Sequence, residues 1–193
     1  MTFLRALTRN EAGVSIVEFA LIAPVLLVTI FGMLDMGQGL YTRSLLQGGI
    51  EKAARDSTIE AANTGALDAK VTAIVKQIAP GATLSFDRES YANFTNTKMP
   101  EDYTDTDSDG ACDNNEPFAD TNGNGVWDAD QGLAGNGGAR DTILYKVTVT
   151  YPRLFPVARL INQSNTMAMS AVMILRNQPY GIQDSAATTG NCP

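Results

Sequence analysis

A run of twenty-one residues with a single charge, from Val14 to Leu34, constrains the fold of this chain more than any other feature. In a helix that rises about 1.5 Å per residue, this run covers roughly the 30 Å of hydrocarbon in a bilayer. Arg5 and Arg9 precede it, and the positive-inside rule places that basic end in the cytoplasm. The sequence therefore predicts one membrane span, with the chain after about residue 37 on the outer side.

Glu18 is the one charged residue of this span. An ionised carboxylate in lipid costs on the order of a few kcal/mol, so it requires a partner or a place near the interface. If the chain is cut between Gly13 and Val14, the new α-amino group lies within about a turn of Glu18. In an assembled polymer, the amine of a neighbouring subunit is a second possible partner. A simple signal anchor, with the glutamate tolerated at the membrane edge, is the alternative interpretation.

A secretory signal peptide is the main competing interpretation of the N-terminus. Such a peptide has a short apolar region followed by a small-x-small cleavage site. Here the apolar run is too long, and Gly13, the small residue that suits a cut, lies before the run. A cut after Gly13 leaves the anchor on the mature chain. It also removes Arg5, Arg9 and Glu11, which changes the formal net charge from −7 to −8.

The N-terminal residues resemble the substrates of prepilin peptidases in type IV pilus systems: a basic leader, Gly13, then an apolar helix with glutamate at its fifth position. The resemblance narrows to the TadE-like pseudopilins, or minor pilins, of the tight-adherence (Flp-type) pilus. It covers residues 11–55 well, the C-terminal strand more loosely, and the middle not at all. The segments that carry it are Glu18-Phe19-Ala20-Leu21 with Pro24, Ala53-Ala54-Arg55, and Arg176-Asn177-Gln178-Pro179-Tyr180.

The resemblance implies roles and partners. Gly13 is the residue before the scissile bond, Val14 becomes the first mature residue, and Glu18, followed by Phe19, is the determinant of processing and assembly. The implied partners are a prepilin peptidase, the other pilus subunits and the inner-membrane assembly platform. The implied location is the inner membrane, with the C-terminal domain in the periplasm or at the cell surface, either free or within the pilus. Cell adhesion and biofilm formation are the implied processes.

The predicted architecture is α+β. Residues 1–13 form the leader, 14–57 the membrane and spine helix, and 58–193 one exported head domain with an acidic insertion at 100–132. Pro24 is expected to bend the spine helix. Apolar periodicity predicts a second helix from Ala66 to Ala79, and β-branched and aromatic residues predict a small antiparallel sheet. The predicted strands are Thr83 to Asp87, Ile143 to Tyr151 and Met167 to Arg176.

Two tandem calcium-loop patterns lie in the acidic insertion. The pattern places oxygen ligands at positions 1, 3, 5, 9 and 12, a backbone carbonyl at position 7, and glycine at position 6. Both loops resemble those of dockerins and EF-hands, although no flanking amphipathic helices are evident. The first loop offers Asp105, Asp107, Asp109, the Ala111 carbonyl, Asp113 and Glu116; the second offers Asp120, Asn122, Asn124, the Val126 carbonyl, Asp128 and Gln131.

The two loops are expected to differ in calcium affinity. Gln131 stands where the first loop has a bidentate glutamate, which weakens the second site unless Asp130 or an outside carboxylate substitutes. Bound Ca²⁺ is expected to have a structural role, folding a segment whose charges repel one another. A disordered acidic linker is the alternative, because Asp, Asn and Gly also favour turns and disorder.

Two cysteines, Cys112 in the first loop and Cys192 near the C-terminus, lie in the part of the chain predicted to be exported. A disulfide between them would close about eighty residues and contribute about 2 to 4 kcal/mol. Two free thiols are the alternative. In either state, Cys112 has no histidine to activate it, because the chain contains none.

The composition argues against enzyme activity and nucleic-acid binding. The Asp and Glu residues cluster with calcium-loop spacing rather than as an acid/base pair, and no cluster of Lys and Arg is present to bind phosphates. Two functions from different classes remain. The first is a structural pilus subunit that is incorporated into the filament or primes it. The second is a membrane-anchored, calcium-stabilised binding module that does not polymerise.

Overall fold

A computed structural model describes residues 13–58, 63–155, 159, 162–178 and 187–193. The predicted leader residues 1–12, with Arg5, Arg9 and Glu11, lie outside the described residues, as do Pro179 and Tyr180. The α-helices in these ranges are α1, Val14–Ser57, and α2, Thr64–Lys76, and a short 3-10 helix covers Phe94–Asn96. The strands in these ranges are β1 Thr83–Tyr91, β2 Pro117–Asp120, β3 Leu133–Ala134, β4 Thr142–Pro152, β5 Thr166–Arg176 and β6 Thr188–Asn191.

Helix α1 has the bounds that the sequence predicted, and it continues through Pro24. Its most apolar 18-residue window has a mean hydropathy of 2.5 and no buried residue, so this helix is long and apolar enough to cross a membrane. Toward its C-terminus, buried residues recur every three or four positions, at Thr42, Leu46, Ile50 and Ala53. This spacing marks one helix face that packs in a protein core.

The residues fall into two compact units, and the first contains the described part of α1 up to Tyr41 together with the described residues of Pro152–Met167. Phe31 stacks on Phe155, with ring centroids 4.6 Å apart. One turn later, where the apolar run ends, Asp35 forms an ion pair with Arg153. The Arg153 backbone N–H also donates to the Asn165 carbonyl at 2.8 Å.

The second unit, Thr42–Tyr151 with Ala168–Pro193, contains the helix pair and the sheets. Gly49 of α1 faces α2: a Cβ at this position would make ordinary van der Waals contact with a Val71 methyl group, at 3.7 Å, and with Ile74, at 3.8 Å. Val71 and Val75 are buried. The second helix therefore uses the face that its periodicity predicted, although it runs from Thr64 to Lys76 rather than from Ala66 to Ala79.

A four-stranded sheet in the order β3-β1-β4-β5 forms the centre of the second unit. β1 and β4 are antiparallel, in a register that pairs Leu84 with Val149. The residues of β4 alternate as predicted, and Val147 and Val149 are fully buried. β1 is longer than predicted: it continues past Asp87 to Tyr91, because nine of its residues pair with β4.

A polar cluster joins α2 to this sheet. The Arg88 guanidinium donates to both carboxylate oxygens of Asp68, at 3.0 and 2.5 Å, and the Tyr145 hydroxyl donates to Asp68 at 2.7 Å. Arg88 also lies 4.2 Å from the centroid of the Tyr145 ring. Burial and the hydrogen bond to Asp68 raise the pKa of Tyr145 above its usual range, so its hydroxyl stays protonated and continues to donate.

A separate two-stranded sheet pairs β2 with β6, from Pro117 opposite Asn191 to Asp120 opposite Thr188. Phe118 of β2 is buried, and its ring lies so close to Gly190 that a Cβ at that position would collide with it. The close approach therefore requires glycine at 190. This sheet holds the middle of the acidic insertion against the C-terminal segment.

Candidate functional site

Two features of the structure are candidate functional sites: the start of α1 and the acidic loop pair. Gly13 directly precedes the helix, and Val14 is its first residue. Glu18 lies four positions after Val14, so both residues are on one helix face, and a side chain at the later position leans toward the N-terminus. Val14, Glu18 and Phe19 are all exposed. The carboxylate of Glu18 is therefore directed toward the end of the helix where a cut after Gly13 would leave an amine.

The first acidic loop brings three carboxylates together. Oxygens of Asp105, Asp107 and Asp109 lie within 4.8 Å of one another. Asp105 accepts hydrogen bonds from the backbone N–H groups of Ser108, at 2.6 Å, and Gly110, at 3.0 Å, which folds the loop around it. Gly110 has a φ of 80°, a conformation that residues with a Cβ rarely adopt, as the pattern requires at position 6.

Two further carboxylates of the first loop are only partly satisfied. Glu116 is 2% exposed; its Oε1 accepts a hydrogen bond from the Thr106 hydroxyl at 2.9 Å and another from the Thr106 N–H. Its Oε2 is buried and has no hydrogen-bond partner among the described residues, and the same is true of Oδ1 of Asp113. Desolvation, followed by the charges of Asp109 and Asp107, raises the pKa of Asp113 above its ordinary value. This excess of negative charge suits a divalent cation.

The second loop has the same backbone turn, with Gly125 at a φ of 79°. Asp120, which is buried, accepts hydrogen bonds from the N–H groups of Gly123 at 2.7 Å and Gly125 at 2.9 Å. Asp128 accepts hydrogen bonds from the side-chain amides of Asn122 and Asn124, at 2.8 and 2.5 Å. The side chains at positions 3, 5 and 9 are thus gathered in one place, and Asp120 at position 1 closes the backbone turn. The Ala111 and Val126 backbones at position 7 follow the same turns in their respective loops.

Gln131, the residue at position 12 of the second loop, bonds to a different segment. Its side-chain oxygen accepts a hydrogen bond from Asn96 at 2.7 Å, and its amide donates to the Pro100 carbonyl at 3.1 Å. Asp130 is also engaged elsewhere, by Lys98 at 2.6 Å and by the Tyr91 hydroxyl at 3.0 Å. Both side chains hold the insertion to the end of β1 and the residues after it.

Glu101 was not among the predicted site residues, yet it is buried beside the second loop, with 1% of its surface exposed. Its Oε1 accepts a hydrogen bond from the Thr121 N–H at 2.7 Å, and its Oε2 accepts one from the Asp128 N–H at 3.2 Å. A signal was present in the sequence: Glu101 precedes Asp105 by four residues, just as Glu116 precedes Asp120. The twelve-residue calcium-loop pattern does not include this residue, because Glu101 lies before the start of the first loop.

A disulfide joins Cys112 to Cys192, with Cα atoms 5.3 Å apart and a sequence separation of 80. Beside it, the Cys192 N–H donates to the Glu116 carbonyl at 2.8 Å. The bond therefore attaches the C-terminal segment to the first loop, next to the β2–β6 pair.

Replacing both cysteines, as Cys112→Ser with Cys192→Ser, is expected to lower the free energy of unfolding by about 2 to 5 kcal/mol, because the unfolded chain regains the freedom of a long loop. Chemical denaturation monitored by Trp127 fluorescence measures this change. Unchanged stability relative to the oxidised wild type would contradict a stabilising role for the bond.

The fold and these sites define a class: an α+β protein whose N-terminal apolar helix could span a membrane and continues into a packed second unit. In a comparison with protein families, the family described as TadE-like protein matches residues 13–55. The resemblance noted from the sequence is confirmed over this range, which contains Gly13, Val14, Glu18 and most of α1. Comparisons with curated proteins and with solved structures found no match.

Proposed function

We propose that this protein is a membrane-anchored minor pilin or pseudopilin of a tight-adherence pilus. The observation that carries the proposal is the start of α1: an exposed apolar helix begins directly after Gly13, carries Glu18 one turn later, and lies in the range that is TadE-like. The apolar window of this helix is unburied, so it requires lipid or other subunits around it. Both environments are available to a pilin, first in the membrane and then in a filament.

In this proposal, a prepilin peptidase cuts between Gly13 and Val14 on the cytoplasmic side of the inner membrane. The assembly platform then passes the processed helix to other pilus subunits, where Glu18 pairs with the amine of a neighbouring chain. The second unit stays outside the membrane and takes part in adhesion and biofilm formation. The role is structural rather than enzymatic.

Mass spectrometry of the protein recovered from cells tests the processing step. The expected N-terminus is Val14, with or without an N-methyl group, and a Gly13→Leu variant is expected to keep its leader because the peptidase requires a small residue before the bond. Wild-type protein that retains Met1, or that is cut after α1, would overturn the pilin proposal in favour of a non-polymerising anchored module.

We further propose that the two acidic loops bind Ca²⁺ and that the ion stabilises the head. Support comes from Glu116, whose buried Oε2 finds no hydrogen-bond partner in the described parts of the chain and lies in the loop that gathers Asp105, Asp107 and Asp109. A buried carboxylate oxygen without a hydrogen bond is costly unless it binds a cation. Oxygen ligands in this number suit Ca²⁺, which accepts six to eight of them. The expected dissociation constants are those of extracellular modules, about 10⁻⁴ to 10⁻³ M.

A further inference from the structure

The two acidic loops are related by a short antiparallel pairing of the residues that precede each of them. Tyr103 forms an isolated bridge with Phe118. On either side of it, the Thr104 N–H donates to the Pro117 carbonyl at 2.9 Å, and the Ala119 N–H donates to the Asp102 carbonyl at 2.8 Å. This register places Glu101 opposite Asp120, the first residue of the second loop. It places Glu116 opposite Asp105, the first residue of the first loop.

Those two residues are both glutamates, and each reaches the loop across the pairing. Glu116 accepts a hydrogen bond from the N–H of Thr106, the second residue of the first loop. Glu101 accepts one from the N–H of Thr121, the second residue of the second loop, at 2.7 Å. The two contacts are equivalent. Glu101 therefore has the same position relative to the second loop that Glu116 has relative to the first.

Within the described part of the chain, the acids at the second loop have no ion-pair partner. Glu101 and Asp120 are 1% and 4% exposed, and the backbone N–H of Asp128 donates to Glu101 at 3.2 Å. None of the ion pairs seen among the described residues includes any of these three acids. Buried carboxylates are normally paired with a cation or bind a metal. Glu116 at the first loop requires a cation for the same reason, because its Oε2 has no hydrogen-bond partner among the described residues.

We propose that Glu101 is the missing carboxylate ligand of a second Ca²⁺ site, so that each loop receives its buried glutamate across the Tyr103–Phe118 bridge. The second site then consists of Asp120, Asn122, Asn124, the Val126 carbonyl, Asp128 and Glu101. Gln131 takes no part, because its amide group is held by Asn96 and Pro100. This inference rests on the proposed calcium binding and adds a ligand from outside the twelve-residue loop.

Trp127 allows ion binding at the second loop to be observed directly. It is the single tryptophan of the chain, it lies within the second loop, and its indole N–H donates to the Glu101 carbonyl at 2.9 Å. Tb³⁺, which replaces Ca²⁺ at oxygen sites, luminesces when a nearby excited tryptophan transfers energy to it. Excitation at the red edge of the tryptophan band selects Trp127 over the tyrosines, so Tb³⁺ titration of the full chain in detergent reports on the second loop.

The change Glu101→Gln is expected to lower the affinity of the second loop for Tb³⁺, measured by tryptophan-sensitised luminescence, by about tenfold or more, because it removes one ligand charge. The affinity for Ca²⁺, measured by its competition with Tb³⁺, is expected to fall by a similar factor. Asp102→Asn is the matched control: it makes the same charge change at the adjacent, exposed residue and is expected to leave the affinity unchanged. Circular dichroism of the calcium-free proteins checks that the variants fold. If Glu101→Gln does not fold, Glu101→Asp keeps the charge but shortens its reach, and it is expected to weaken binding in the same way.

The possible failures are distinguishable. If wild-type protein gives no sensitised luminescence that Ca²⁺ displaces, the proposed calcium binding of the second loop itself is wrong, and this inference falls with it. If wild type binds but the folded Glu101 variant binds equally well, calcium binding stands and the assignment of Glu101 is overturned. A loss with Gln131→Ala as large as that with Glu101→Gln would also overturn it, because the ligand would then be the position-12 residue.

Discussion

Chelation of calcium is expected to open residues 100–132 to chymotrypsin, with cleavage after Phe118 and Trp127 becoming at least about tenfold faster. Chymotrypsin suits the experiment because the segment has no Lys or Arg but does contain these aromatic residues. Phe118 is 2% exposed, so cleavage there requires the segment to open. Peptide mapping after reduction of the disulfide locates the cuts.

The expected effect is large because so much charge lies in one segment. Ten of the chain's 21 acidic residues lie between positions 100 and 132, a segment without Lys or Arg, and among the described ion pairs only Asp130 of these ten has a cation, Lys98. Without an ion these carboxylates repel one another, and the buried ones lack a compensating cation, which favours the open state. The ten are Glu101, Asp102, Asp105, Asp107, Asp109, Asp113, Glu116, Asp120, Asp128 and Asp130.

Two controls separate calcium binding from other effects of the chelator. An Asp105→Asn, Asp120→Asn double variant, which lacks the first ligand of each loop, is expected to be cut rapidly and at the same rate with and without chelator. Excess Mg²⁺ is not expected to restore protection, because this ion prefers a smaller octahedral site and retains its water. Equal cleavage rates for the wild type in Ca²⁺ and in chelator would contradict the proposed structural role of the metal.

The elements that the sequence predicted best are those with a strong hydrophobic period. Helix α1 has its predicted bounds, since an apolar span leads into a face with Leu46 and Ile50 at helical spacing. Strand β4 shows the expected alternation because one face of it is fully buried. Strand β6, in contrast, reads Thr-Thr-Gly-Asn, and without apolar residues it gave no signal. Its pairing depends on tertiary contacts: the Phe118 ring over Gly190 and the nearby disulfide.

The loop pair shows the same division between local and long-range information. The turns around Asp105 and Asp120 are local, so spacing and glycine positions predicted them, and the structure has both glycines at positive φ. The contact of Glu101 with Thr121 spans twenty residues and depends on the Tyr103–Phe118 bridge, which no local pattern encodes. Ion binding itself remains a prediction for both loops.

Loss of the Glu18 carboxylate, in a Glu18→Ala variant, is expected to keep the protein in the membrane while lowering its amount in sheared filaments by about tenfold or more. Membrane retention improves slightly, since the change removes a charge that costs a few kcal/mol in lipid. Assembly suffers because the Val14 amine of a neighbouring subunit would be buried among apolar helices without a partner. Immunoblots of the membrane and sheared fractions measure both quantities.

Ser15→Ala is the matched control, because Ser15 is equally exposed on the first turn of the same helix and carries no charge. It is expected to leave the filament content unchanged. The N-terminal mass of the Glu18→Ala protein separates two causes of a loss: protein that starts at Val14 but is absent from filaments has an assembly defect, whereas protein that retains its leader has a processing defect. Filament content equal to that of wild type would contradict a role for Glu18 in both steps, and the remaining interpretation of this residue would be a charge tolerated at the membrane edge.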